Sequence, residues 1–358
     1  MEGKLEVTNP IMNIKTKIVS TYKTIDIAAG SIIMAIGIFL LGAIHQFPLL
    51  DEHFGRYLSA ILVIVWLLLL FSFCFSLFIR EYQNSLVSSP IKSFAAGTWI
   101  AGTSVVGIIM IHYFPVLTTG LTILLYMNVF LWFIYILFCI WQFKKIIGIG
   151  SIKDVHGLVL LSTVSTQSIA CLLINYYQES LSANIIFYLI SIGIGFYLFS
   201  IILIGIRFSS KWFDIHEWKN TDCIIHGALS ITGLAMTQSR QFETDVLFVF
   251  WWVVFSIFVI VEMIEIIRGV NRIKKLGWKK GIFTYNISQW ARNFTFGMFY
   301  YFTYNLVNMM GKDLLKFQTE VMYVLGWIIL IILITEIALL LSTIILKNMN
   351  GIENGALR

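Results

Sequence analysis

The amino-acid sequence predicts an all-α integral membrane protein, and three observations predict it. Apolar residues are in excess: of 358 residues 58% are hydrophobic and 12% charged, with mean hydropathy +0.85, whereas a soluble domain carries roughly 25% charged residues. Those apolar residues fall into ten continuous runs. The cations between the runs lie overwhelmingly on one side.

A bilayer core about 30 Å thick is crossed by roughly 20 apolar helical residues. The sequence offers ten such segments, at 27–44, 57–79, 94–111, 121–143, 157–176, 183–206, 222–238, 246–267, 287–307 and 321–346. They make one transmembrane domain, 25–346, between an N-terminal tail, 1–24, and a C-terminal tail, 347–358. Helices are favoured over a β-barrel because the runs are long and lack the alternation of lipid-facing strands. Lys and Arg are retained on the cytoplasmic side. With the N-terminus inside, twenty of the 25 cations lie on the cytoplasmic side, and only Arg56, Arg240, Lys312 and Lys316 lie outside. Both tails are thus expected in the cytoplasm of a multi-pass cell-membrane protein. The formal charge of +6 reports topology and implies no nucleic-acid partner. The N-terminal tail has no apolar core before the first span, so no cleaved signal peptide is expected.

The segments alternate in character. The first carries Ala28, Ala29, Gly30 and Ser31. In the third, nine of the fourteen residues from Phe94 to Gly107 are Gly, Ala, Ser or Thr. The fifth carries Ser162, Thr163, Ser165, Thr166, Gln167 and Ser168, and the seventh Gly227, Ala228, Ser230, Thr232 and Gly233. Even-numbered segments are rich in Leu, Ile, Phe and Trp, although the sixth and tenth hold some Gly and Ser. Small residues permit close helix approach, and hydroxyls are tolerated at membrane depth against other helices or a wet cavity. Five hairpins follow, with odd helices forming an inner pore ring and even helices an outer ring. Tight helix contact alone would also explain the small residues.

Ionisable residues inside a span are functional candidates, because insertion costs several kcal/mol. Arg292 on the ninth segment could attract anions from a pore wall, or pair with Glu262 or Glu265 of the eighth. Glu336 on the tenth segment has no partner legible in the sequence. His226, four residues after Asp222 on one helix face, is too little for a metal site; a buried, hydrogen-bonded histidine is the plainer reading. The basic loop 268–280, with Trp278, suits anionic lipid head groups or simple cytoplasmic retention. Cys74, Cys139, Cys171 and Cys223 lack metal spacing and read as buried thiols. All four prolines lie in loops or tails, so a kink in an inner helix would need glycine. No cofactor or metal is implied.

The runs Ala96-Gly97-Thr98-Trp99-Ile100-Ala101-Gly102-Thr103-Ser104-Val105-Val106-Gly107, Ser165-Thr166-Gln167-Ser168-Ile169-Ala170 and Gly227-Ala228-Leu229-Ser230-Ile231-Thr232-Gly233-Leu234-Ala235, with the stretch around Trp290, resemble the tellurite-resistance and dicarboxylate transporter family. That family includes bacterial permeases, the yeast malate permease and plant slow anion channels. The resemblance covers nearly the whole membrane region. It implies five helical hairpins around a pore, often as a homotrimer with one pore per subunit, passing chloride, nitrate, malate or sulfite. It implies a phenylalanine plug four residues after a tryptophan on the ninth helix, a position held here by Phe294, with Phe296 as the alternative. Many members carry Pro or Gly directly after that phenylalanine, where this chain has Thr295, and Arg292 is not part of the pattern. The resulting expectation is an anion channel or transporter rather than an enzyme, gated at Phe294, with Gly97, Thr98, Thr103, Thr166, His226, Gly233, Arg292 and Phe296 as pore-lining or anion-selecting candidates. The alternative is a membrane-embedded transferase using His226.

Overall fold

The computed structural model of the chain describes residues 24–209 and 217–356. The tail before Thr24, Lys211 and the side chains of the tail 347–358 lie outside the described residues. Among the described residues all regular structure is helical. The ten principal helices are α1 Gly30–Leu41, α2 Pro48–Leu77, α3 Gly97–Tyr113, α4 Thr118–Ile149, α5 Leu161–Tyr177, α6 Ala183–Phe208, α7 Ile224–Ser239, α8 Thr244–Ile282, α9 Trp290–Met310 and α10 Lys316–Ala356. Two short helices, Arg80–Ser88 and Pro90–Ser93, lie between α2 and α3.

Each predicted apolar segment is occupied by a helix, but several helices overrun it. α2 starts at Pro48, whose ring suits the first helical turn. α8 continues through the basic stretch to Ile282, because Lys and Arg are good helix formers once outside the hydrocarbon. A break inside a helix falls at Gly277 of α8, with φ 76° and ψ 165°. Glycine tolerates that left-handed φ. Cys139, Cys171 and Cys223 are buried, whereas Cys74 is exposed on α2, an outward-facing site that alternation alone did not reveal.

Eight helical stretches are long and apolar enough to cross a membrane. Their surroundings differ sharply. The stretches Ile27–Gln46, Pro90–Tyr113 and Gly157–Ser180 are 83%, 89% and 83% buried, while the other five range from 17% to 39%. α7 and α9 do not reach the apolarity or length of the eight, yet α7 is buried at every residue from Ile224 to Thr237. A helix enclosed by protein does not need a lipid-compatible surface, so it can carry His226, Asn293 and a run of hydroxyls.

The odd helices pack in the cycle α1–α3–α5–α7–α9–α1. Every even helix lies against two of them: α2 on α1 and α3, α4 on α3 and α5, α6 on α5 and α7, α8 on α7 and α9, and α10 on α9 and α1. Glycines sit where odd helices meet. A Cβ on Gly30 would strike Thr98, one on Gly97 would meet Tyr135 and the Leu161 carbonyl, one on Gly227 would strike Thr295, and one on Gly233 would strike the Phe302 ring. Tryptophans tie even helices to odd ones. The indole of Trp66 donates to Thr103 Oγ1 at 3.1 Å, Trp132 to Thr166 Oγ1 at 3.1 Å and Trp251 to Thr303 Oγ1 at 2.8 Å.

Candidate functional site

Each odd helix is entered through a short 3-10 turn: Ile27–Ala29, Phe94–Ala96, Gly157–Leu160, Asn220–Cys223 and Ile287–Gln289. These five entrances surround one cavity of about 880 Å³. α1 contributes Ser31 and Met34, α3 Thr98, α5 Leu161, α7 Ile224, and α9 Ala291 and Phe294. The short helix Arg80–Ser88 covers part of it with Tyr82 and Ser85.

Its electrostatics favour anions. Helix N-termini present unsatisfied N–H groups and a partial positive charge. Lys92, Lys219 and Arg268 line the same space, with Asp26 as the acidic member of the lining, and Asp26 is engaged in accepting from the Ala28 amide at 2.8 Å. His156, also on the wall, lies 2.9 Å from Thr221 Oγ1 through Nδ1. Burial, then the nearby Arg207, Lys219 and Lys92, push its imidazole down to about 4, so at neutral pH it supplies a dipole and no charge. Burial pushes the Tyr82 phenol up to about 12, which keeps its proton in place. Asp222 braces the wall from behind, accepting from the amides of Gly157 and Lys219 at 2.7 and 2.9 Å and from Arg207 at 3.4 Å.

The sequence-predicted residues separate around this cavity. Phe294 lines it and is 2% exposed, and Thr98 lines it with its hydroxyl donated to the Ala95 carbonyl at 2.7 Å. Thr103 and Thr166 turn their hydroxyls to Trp66 and Trp132 of the even helices. Gly97 and Gly233 are filled by neighbouring helices. Phe296 points away from the cavity, its ring 5.1 Å from Phe258 of α8 and 6.2 Å from His226. Residues 294 and 296 are about 200° apart on a helix, so one of the two faces outward whenever the other faces in.

Arg292 is four residues before Phe296 and shares its outward flank. It is not part of the cavity lining. Its guanidinium lies 2.7 Å from Glu265 and 3.7 Å from Glu262, the ion-pairing role left open by the sequence. Glu265 also receives Arg268 at 2.9 Å. Arg268 donates to Asn220 Oδ1 at 2.8 Å, and Asn220 donates to Ser288 at 2.9 Å, so the charge cluster ends on the cavity wall. Glu336 is buried on α10 with Arg292 as its charged neighbour. His226 is fully buried, 3.4 Å from Glu262.

The cationic lining was missed by sequence reasoning. In the sequence Lys92 and Lys219 are topology signals alone, although each falls within a few residues of an odd helix entrance. Among the described residues no cluster of His, Cys, Asp and Glu could hold a metal ion. The sequence matches the family described as voltage-dependent anion channel over residues 25–345. No curated protein matches the chain.

Proposed function

We propose, from the premise that this chain belongs to the voltage-dependent anion channel family, that it passes small inorganic anions or C4-dicarboxylates across the cell membrane through a pore framed by its five odd helices. In this reading all ten principal helices cross the bilayer, odd ones around the axis and even ones toward lipid, with both tails in the cytoplasm. Anions enter the cation-lined cavity, where lysines and helix N-termini offset lost hydration. Phe294 is the gate. A ring across a narrow path denies an ion both room and water, and the observation that supports the reading is that Phe294 lies buried on the lining of that cavity. The family resemblance further suggests a homotrimer with one pore per subunit.

The transferase alternative receives less support. His226 is fully buried and is not part of the cavity lining, which leaves a substrate no route to its ring. Anion flux into liposomes tests the proposal. Phe294→Ala is expected to raise chloride or nitrate flux at least about tenfold over the wild type, and absence of flux in both proteins would sink it.

A further inference from the structure

Glu262 is shared between two partners and well satisfied by neither. Its Oε1 lies 3.4 Å from His226 Nε2 and its Oε2 3.7 Å from Arg292 Nε, both longer than the 2.7–2.9 Å of a good charge-assisted hydrogen bond. Both ring nitrogens of His226, Glu262 Oε1 and Arg292 Nε are buried without a hydrogen-bond partner. Glu265, one turn away, is by contrast held at 2.7 Å by Arg292 and at 2.9 Å by Arg268. A buried imidazole and a carboxylate oxygen with no other partner thus face one another, and an opposite charge at that range favours the protonated ring over the neutral one.

Toward His226, α8 presents Glu262 and α9 presents Arg292. On its own chain Asp222 is taken up by Gly157, Lys219 and Arg207. α5 carries no charged side chain, and α6 supplies Arg207, which faces Asp222. Behind Arg292 stands Glu336 of α10. Arg272 also stands near Glu265, Arg268 and Arg292, so the cluster's carboxylates and arginines are equal in number, and the His226–Glu262 pair is set apart by its geometry and not by a net charge.

We propose that the His226–Glu262 pair is a proton-binding site that controls the Phe294 gate. The His226 ring takes one proton, passed from water by way of the Glu262 carboxylate, whose side chain is 15% exposed, and no other bond is made. The resulting imidazolium draws Glu262 toward α7 and away from Arg292. Arg292 lies two residues before Phe294 on the first turn of α9, and with Glu262 drawn away it is tied to α8 through Glu265 alone, which lets the turn that carries the gating ring shift. This rests on the reading of Phe294 as the gate.

The experiment is chloride flux in proteoliposomes at controlled cytoplasmic-side pH. Wild-type flux is expected to change roughly fivefold between about pH 5.5 and pH 8, and His226→Gln and Glu262→Gln each to flatten that profile. A flat wild-type profile, or a His226→Gln protein that keeps the wild-type profile, overturns the proposal. Ring resonances of isotope-labelled histidine, assigned by their loss in His226→Gln, read the same proton without any flux. The His226 ring is expected to gain its proton as the pH is lowered, and a ring that does not titrate overturns the site even if anions pass. Silence of both wild type and Phe294→Ala at every pH overturns the anion-passage reading and the gating step, while the ring titration still decides the proton site.

Discussion

The two flanks of α9, with the turn that enters it, place aromatic rings beside cations in opposite settings. On the inward flank, Ile287, Ala291 and Phe294 line a cavity that also holds Lys92 and Lys219. On the outward flank, Arg292 and Phe296 meet Glu262, Glu265, Phe258 and His226. A cation that faces carboxylates is spent on joining helices, whereas a cation that faces a cavity lends its field to whatever enters. An aromatic ring packed among aromatics is core, whereas one on a cavity lining can act on whatever enters. Residue type therefore says less than flank, and flank is set by the 3.6-residue turn.

The largest expected effect pits the flanks directly. Where Phe294→Ala opens the path, Phe296→Ala should leave flux near the wild-type level and instead destabilise the protein by about 3 kcal/mol, because it removes a ring from a packed cluster. Flux together with thermal unfolding in detergent checks both. Opening by Phe296→Ala would reverse the assignment of flanks.

Much of this was legible before any coordinates. The apolar runs and the one-sided cations place the helices, since a bilayer imposes length and charge retention on any sequence that crosses it. The small-residue bias of the odd helices anticipates their burial. What it does not give is direction around each helix. Gly97 and Gly233 read as room beside an axis, and the structure fills both with Tyr135 and Phe302 from neighbouring helices. Thr103 and Thr166 read as pore hydroxyls, but the tryptophans of α2 and α4 claim them. Those partners lie 37 and 34 residues away in sequence, and no local pattern links them. The vestibule is hidden for a similar reason: Lys92 and Lys219 meet only when separate helix entrances converge, and each alone is indistinguishable from a retention signal.

A middle-sized effect tests the inward flank. Lys92→Ala combined with Lys219→Ala should lower anion entry about threefold at low ionic strength and by less at physiological salt, because screening over about 8 Å already removes part of the field. Flux measured at two salt concentrations separates this from a folding defect, which salt would not rescue. An equal loss at both salts would remove the lysines from the entry path.

The smallest effect belongs to the outward ties. Thr103→Val, Thr166→Val and Thr303→Val each keep side-chain volume while deleting the acceptor for a tryptophan N–H. Interhelical hydrogen bonds within membranes average only about 0.6 kcal/mol, because the unfolded chain in lipid also finds partners. Each change should therefore lower unfolding stability by about that amount and leave anion selectivity untouched. A shift in the chloride-to-nitrate permeability ratio in Thr103→Val or Thr166→Val would mean that these hydroxyls reach the conducting path during passage. The two flanks would then exchange residues when the gate opens, and the division along α9 would describe the closed protein alone.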